Sequence, residues 1–239
     1  MDLSVVVPVF NEQENLKPLI DEIHAALDDQ LDFEIIYVND GSTDETLAIL
    51  KALREQDERL RVLSHAVSCG QSTAVRTGVK AARAPWIATL DGDGQNDPAD
   101  IMSLFTLVQQ ENRDSDLCMI AGWRKKRQDS RLKKFSSRLA NGVRARVLKD
   151  DTPDTGCGLK LFSREIFLEL PYFDHMHRFL PALVLRTGKK VQSVEVNHRP
   201  RNKGVSKYGV HNRLWTGIVD MLGVLWLQRR GKRPEITEL

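Results

Sequence analysis

Cysteine is scarce and badly spaced for any covalent or metal framework. Cys69, Cys118 and Cys157 are odd in number, far apart and never arranged as Cys-x-x-Cys, so neither a disulfide framework nor a zinc knuckle is implied, and a reducing cytosol fits. His175 and His177 do not complete a zinc site with Cys157, because the ligand set is short and the two histidines alternate along the chain. The start of the sequence runs from Met1 straight into Leu3-Ser4-Val5-Val6-Val7-Pro8, without a basic leader, a long apolar region or a small-residue cleavage site. Long apolar runs are missing too. The stretch Ile218 to Leu227 is interrupted by Asp220 and is about half the ~20 residues that cross a bilayer. These absences lead to the expectation of a cytoplasmic protein with no spanning segment.

What is present fits one α/β domain with a C-terminal appendage: 239 residues, 41% of them hydrophobic. The expected division is a catalytic domain over 1–210 and an amphipathic helical tail over 211–239. Net charge is only +2, but the charges are unevenly spread. Between Arg124 and Lys149 stand eleven cations (Arg124, Lys125, Lys126, Arg127, Arg131, Lys133, Lys134, Arg138, Arg144, Arg146 and Lys149) against one acid, Asp129. Such a segment calls for an anionic partner.

The first hundred-odd residues alternate short β-branched runs with amphipathic patterns, the mark of βαβ units and a mostly parallel, Rossmann-like sheet flanked by helices. Strands are expected at Leu3–Val9, Phe33–Val38, Arg61–Ser64, Trp86–Leu90 and Leu117–Ala121. Leu16, Leu19, Ile20, Ile23 and Leu27 keep a helical rhythm, as do Leu47, Leu50 and Leu53, and then Ala74, Val75, Gly78, Val79 and Ala82. A fourth helix is expected to begin at Asp97-Pro98, an N-cap followed by proline. In open parallel sheets ligands sit beyond the carboxyl ends of the strands, so the loops after Val9, Val38, Ser64 and Leu90 should share one site.

Those loops are where polar residues gather. Leu90-Asp91-Gly92-Asp93-Gly94-Gln95 places two carboxylates two apart at a strand end, where an extended backbone would turn both to the same side. Two carboxylates with the Gln95 amide oxygen suit a hard cation, Mg²⁺ or Mn²⁺, leaving coordination positions for diphosphate oxygens. The bland alternative is a solvated or capping acidic turn. A calcium loop is excluded, because Asn96 replaces the glycine required at its sixth position and Met102 the glutamate at its twelfth. Asp40, at the second strand end, is placed to accept hydrogen bonds from a nucleobase or ribose. Ser42-Thr43-Asp44 reads more simply as a turn and helix cap.

Val6-Val7-Pro8-Val9-Phe10-Asn11-Glu12, Asn39-Asp40-Gly41-Ser42-Thr43-Asp44 and Asp91-Gly92-Asp93-Gly94-Gln95 together resemble glycosyltransferase family 2. Within it the likeness is to the branch of dolichyl-phosphate mannose synthase and polyprenyl-phosphate glycosyltransferases, over nearly the whole chain. Ala121-Gly122-Trp123-Arg124, Asp154-Thr155-Gly156-Cys157-Gly158 and Arg201-Asn202-Lys203-Gly204-Val205-Ser206-Lys207-Tyr208 are similar to later signatures of that branch. The resemblance implies a GT-A fold, with Pro8, Phe10, Glu12 and Asp40 near the nucleoside and Asp91, Asp93 and Gln95 at the metal. It also implies Arg124 and Arg138 at the lipid phosphate, and Arg201 and Lys207 at the diphosphate of a UDP- or GDP-linked donor; because a phosphate nucleophile needs no general base, Asp154 reads as an organiser of the acceptor arginines. Asp91, Asp93, Arg124 and Arg201 would be the catalytic set.

The implied reaction is metal-dependent sugar transfer to a polyprenyl monophosphate by a peripheral protein at the cytoplasmic membrane face. Many family members continue into transmembrane hairpins. Here membrane contact is expected instead from a basic helix with an apolar stripe of Leu132, Phe135, Leu139, Val143 and Val147. The alternative for that helix is a core-packed face with solvated cations. The final stretch, Leu214, Ile218, Met221, Leu222, Leu225 and Trp226 followed by Arg229, Arg230, Lys232 and Arg233, offers a second anchor or a contact in a homo-oligomer. A family 2 enzyme acting on a polysaccharide or protein hydroxyl is the nearest rival, weakened because no Glu-Asp pair occurs in Asp150–Phe162. A nucleotidylyltransferase is disfavoured by the absence of a glycine-rich phosphate loop. Nucleic acid is not an expected partner, since the aromatics are not interleaved with the cations as a stacking platform requires.

Overall fold

A computed structural model of the protein describes residues 1–110, 116–124, 142, 144–200, 211–232 and 237, with side chains of the last helix described from Trp215 onward. Among these residues seven strands form one mixed sheet: β1 (Leu3–Val9), β2 (Phe33–Asn39), β3 (Leu60–Ser64), β4 (Trp86–Thr89), β5 (Leu117–Trp123), β6 (Lys160–Ser163) and β7 (Lys190–Glu195). The described helices are α1 (Leu16–Leu27), α2 (Thr46–Arg54), α3 (Gln71–Ala81), α4 (Asp100–Gln110), α5 (Arg164–Glu169), α6 (Leu180–Arg186) and α7 (His211–Arg230), with a further helical turn over residues 144–148.

The strand order is β3-β2-β1-β4-β6-β5-β7. The chain builds outward from β1 to β3 and then returns to β1's other side with β4, so the order reverses between β1 and β4. That reversal opens a crevice at the carboxyl ends of both strands, where ligands bind in open α/β sheets. β1, β2, β3 and β4 pair in parallel, whereas β6 runs antiparallel to both β4 and β5.

Strand alternation sorts the core into two layers. Val5, Val7, Val9, Ile35 and Tyr37 pack on one face with Leu16, Leu19, Ile23, Ile101 and Leu104 of α1 and α4. Val6, Ile36 and Val38 pack on the other with Ala74, Val75 and Val79 of α3 and with Phe167, Leu180 and Leu183 of α5 and α6. Both faces are covered, which is why β1 and β2 read as continuous apolar runs. Near the amino ends of these strands, the buried Glu34 accepts hydrogen bonds from Ser4 Oγ (2.7 Å), Arg83 N (2.7 Å) and Arg61 Nη1 (2.5 Å).

Two expectations need correction, and two features of the later half were not marked in the sequence. The helix expected from Asp97-Pro98 starts at Asp100. Asp97 does cap, its Oδ1 accepting from Ala99 N at 3.1 Å, but a turn closed by Asp100 N to Asp97 O precedes the α-helical residues. The segment after residue 123 holds a strand inside the sheet, β6, and an edge strand, β7, neither of which the hydrophobic pattern marks. The basic stretch is not uniformly free for an anionic partner, because Arg144 is buried and its Nη2 donates to Asp150 Oδ1 and to the Thr152 carbonyl. Val147 packs on the core, while Leu132, Phe135, Leu139 and Val143 lie outside the described residues. The apolar positions of α7 also do not form one face. Val224 is buried and Met221, Leu225 and Leu227 pack on the core, whereas Trp215, Val219, Leu222 and Trp226 are exposed.

α3 approaches the sheet closely at Gly78, where a Cβ would lie 2.4 Å from Val6 Cγ1 and 3.2 Å from Val38 Cγ2. Gly78→Val should therefore destabilise the fold by about 1–3 kcal/mol through overpacking, read as a lower urea midpoint. A variant as stable as wild type would contradict this packing.

Candidate active site

The first two loops at the crevice are stitched together. Asn11, at φ 54°, turns the chain after β1 so that its Oδ1 accepts from Thr43 N at 2.7 Å and its own N donates to Ser42 Oγ at 2.9 Å. Glu12 N donates to Thr46 Oγ1 at 3.0 Å, and Asp44 Oδ1 accepts from Thr46 N at 3.0 Å. Ser42, Thr43 and Asp44 thus do the turn and capping work read from their composition. Pro8, Phe10 and Glu12 are half-buried at the end of β1. Beside them a recess of about 160 Å³ is lined by Asn11, Glu12, Gln13, Glu14, Asn15 and Asp44.

Asp40 is buried, and its carboxylate is already engaged. Oδ1 accepts from Cys69 N (2.8 Å) and faces His65 Nδ1 at 2.7 Å; Oδ2 accepts from Ser68 Oγ (2.8 Å) and Gly70 N (2.9 Å). Four partners match the roughly four lone-pair directions of a carboxylate, so the group ties down the β3–α3 loop. Gly41 makes the approach possible, since a Cβ there would lie 2.5 Å from the backbone of Val67 and Ser68. Asp40, His65 and Cys69 also bring possible metal-ligand atoms within 4.8 Å of one another. Their atoms are committed to this hydrogen-bonded cluster, His65 Nε2 to Thr77 Oγ1 at 2.9 Å and Cys69 Sγ to the Val67 carbonyl at 3.4 Å.

After β4 the chain leaves the extended conformation and turns through Gly92 and Gly94, the latter at φ 70°. The two carboxylates are therefore presented by a turn and not, as expected, by a continued strand. Gly92 packs tightly on β1, where a Cβ would lie 2.4 Å from Val9 Cγ1. Asp91 Oδ1 accepts from Gln71 Nε2 at 2.7 Å. Its other oxygen lies against Gly158, where an added Cβ would come within 2.3 Å of Oδ2. Desolvation here, and next the Asp93 carboxylate, push the Asp91 carboxyl above its ordinary value, while Lys160, Arg124 and the Gln71 hydrogen bond pull it down. Like charges crowded in this way favour a cation. The hard oxygen donors and the glycine cradle fit Mg²⁺ or Mn²⁺.

Gln95 is half-buried; its side-chain Nε2 donates to the Arg199 backbone carbonyl at 3.4 Å, and its backbone carbonyl accepts from Arg199 N at 3.0 Å. Arg199 in turn pairs with Glu22 (2.9 Å) and Asp97 (2.7 Å). Asn96 bridges to His198. The segment leading to residue 201 is thus fastened beside the acidic turn.

On the far side Arg124, at the end of β5, makes a two-pronged contact with the buried Asp154: Nε to Oδ2 at 2.7 Å and Nη2 to Oδ1 at 3.0 Å. Burial lowers the Arg124 pKa, but the Asp154 carboxylate more than offsets it and the net direction is upward. The guanidinium stays charged. Beneath lies Lys160, buried in β6, its ammonium donating to the Cys157 carbonyl. Burial depresses its pKa against the pull of Cys157, Asp91 and Asp154. The structure therefore brings Pro8, Phe10, Glu12, Asp40, Asp91, Asp93, Gln95, Arg124 and Asp154 to one edge. Arg138, Arg201 and Lys207 lie outside the described residues. His175 bonds Asp220 and His177 bonds Ser72, so neither joins Cys157.

Gln71, Lys160 and Arg199 belong to this neighbourhood without having been singled out in the sequence. Gly70-Gln71 opening an amphipathic pattern was the available signal for Gln71; a lysine between apolar residues was the signal for Lys160.

Residues 4–170 match Glycosyl transferase family 2. The chain belongs to that family. It is a glycosyltransferase of GT-A fold, and the family match runs through the acidic turn, Arg124 and Lys160. It is 38% identical over 239 residues to dodecaprenyl-phosphate galacturonate synthase of Rhizobium johnstonii, covering 98% of this chain and 69% of the relative. It is 31% identical over 210 residues to undecaprenyl-phosphate 4-deoxy-4-formamido-L-arabinose transferase of Edwardsiella ictaluri, covering 87% of this chain but only 63% of that protein. Among solved structures, glucosyl-3-phosphoglycerate synthase of Mycobacterium tuberculosis, in complex with Mn²⁺, UDP and glucosyl-3-phosphoglycerate, superposes with a TM-score of 0.67. That match has 18% identity and covers 95% of this chain and 79% of the other, a likeness of fold.

The Asp40 carboxyl has a lowered pKa, because four hydrogen bonds outweigh the desolvation that would raise it. A depressed carboxyl contributes stability above its unfolded pKa and loses it as pH falls through the folded one. Asp40→Asn should cost about 2–3 kcal/mol near neutral pH, the scale of hydrogen bonds to a charge. Unfolding measured near neutral pH and at about pH 3 should show the difference from wild type shrinking in acid. An undiminished difference would contradict the network.

Proposed function

We propose that this glycosyltransferase moves a sugar from a UDP- or GDP-linked donor to the phosphate of a polyprenyl monophosphate, with inversion at the anomeric carbon, at the cytoplasmic membrane face. The observation that carries the reading is the Arg124–Asp154 pair. Asp154 holds the Nε–Nη2 edge of the guanidinium close enough to the acidic turn for Arg124 to act on the Asp91 carboxylate, and the Nη1 end would take an anion there. Arginine suits a phosphate because its planar fork matches two oxygens at once. The two relatives named above carry polyprenyl phosphates in their names, which supports the same acceptor class.

Asp91 and Asp93, with Gln95, would hold Mg²⁺ or Mn²⁺, which neutralises the departing diphosphate when bound. Pro8, Phe10 and Glu12 would flank the nucleoside, with Asp40 shaping that end through its loop. Arg201 and Lys207 would take the donor diphosphate and Arg138 would join Arg124. A phosphate monoester has a second pKa of ~6 and is an oxyanion at neutral pH. Such a nucleophile needs no general base, in keeping with an Asp154 spent on holding Arg124.

No helix among the described residues is long and apolar enough to cross a membrane. The exposed Trp215, Val219, Leu222 and Trp226 of α7, with Arg229, Arg230 and Lys232 at its end, support contact with an anionic lipid surface, where tryptophan and basic residues collect. The tail over 211–239 would serve that contact.

Asp91→Ala and Asp93→Ala should abolish turnover with polyprenyl phosphate, whereas Asp154→Asn should keep a measurable rate and an unchanged basic limb in its pH profile. An Asp154→Asn protein that binds both substrates but is dead would favour a hydroxyl acceptor, whose proton needs a base.

A further inference from the structure

Gln71 stands where two loops of the site meet. It is the first residue of α3, and Gly70 before it takes φ 87° to turn the chain into the helix. The backbone just ahead is fixed from outside the helix, because Asp40 accepts from Cys69 N and Gly70 N. The side chain is therefore presented from a pinned backbone, half-buried, and its Nε2 donates to Asp91 Oδ1 at 2.7 Å.

Asp91 is gripped from two directions. Gln71 holds Oδ1, and Gly158 lies so close to Oδ2 that a methyl would overlap it. A carboxylate has roughly four lone-pair directions, so one hydrogen bond to Oδ1 fixes the plane of the group and leaves other directions open to a cation. A neutral amide suits this place. It supplies a donor without adding a positive charge that would compete with the metal or a negative one that would add to the crowding of Asp91 and Asp93.

We infer that Gln71 is a positioning residue that sets the Asp91 carboxylate for divalent-cation binding, and that it joins the Asp40 loop to the acidic turn. The inference rests on the reading that Asp91 and Asp93 hold the cation. Partners that orient metal ligands typically contribute 10–100-fold to metal affinity or activity.

The test is binding of Mn²⁺ alone, followed by the electron paramagnetic resonance signal of the free ion, for wild type, Gln71→Met, Gln71→Ala and Asp93→Ala. Gln71→Met keeps the side chain's length and removes the donor. Both Gln71 variants should weaken Mn²⁺ binding about tenfold or more while still unfolding in a single cooperative transition in metal-free buffer. In turnover they should raise the Mn²⁺ concentration for half-activation, with the donor KM at saturating Mn²⁺ close to wild type. Wild-type Mn²⁺ affinity in both Gln71 variants, alongside loss in Asp93→Ala, would overturn the inference and leave the metal reading standing. A wild-type protein that binds no Mn²⁺ would overturn both.

Discussion

The contact between Asp91 and Gly158 is the constraint around which the site is arranged. An acidic side chain from the turn after β4 lies against a glycine from the loop before β6, with no space for even a methyl group between them. Because β6 runs antiparallel between β4 and β5, this one approach brings the loop carrying Asp154 beside the carboxylate pair, and Asp154 in turn fixes Arg124. The acidic half and the basic half of the site are thus a single packing unit. Crowding carboxylates in this way is unfavourable unless opposite charge is close. Lys160 below and Arg124 beside supply it within the protein, and a divalent cation would complete it.

A second unit, built on Asp40, organises the opposite side. Its four hydrogen bonds shape the stretch from His65 to Gly70, so a charge that looks available at a strand end is largely an internal scaffold. Buried carboxylates that accept several backbone N–H groups stay ionised and hold loops rigidly. A substrate contact by Asp40 would have to be added to this arrangement or exchanged with part of it.

Much of the amino-terminal half was legible. β1 to β4 and their helices follow from apolar periodicity because the central strands β1 and β2 are covered on both faces and each helix on one, and the four polar loops fall together because parallel strands deliver their carboxyl ends to one edge. The later half was harder for physical reasons. β6 is four residues long and contains a buried lysine, which reads as a loop residue until Asp91 and Asp154 are seen around it. β7 is an edge strand whose alternation of lysine, valine, glutamine and serine is weak. α7 is apolar on two sides, so spacing alone does not show that Met221 and Leu225 face the core while Trp215 and Trp226 face outward. Gln71 was hard to see for a different reason: Gly70-Gln71 marks only a helix start, and the side chain's significance lies in a partner twenty residues away in the sequence.

The chemistry proposed for this site passes a nucleotide-linked sugar to a lipid phosphate. The direct measurement is mass spectrometry of the lipid fraction after incubation with Mg²⁺ or Mn²⁺, polyprenyl phosphate and a panel of UDP- and GDP-sugars, with soluble hydroxyl acceptors in parallel. One donor should add a single glycosyl mass to the polyprenyl phosphate, with release of the nucleoside diphosphate. Glycosylation of the soluble hydroxyl acceptors, with the polyprenyl phosphate unchanged across the panel, would contradict it.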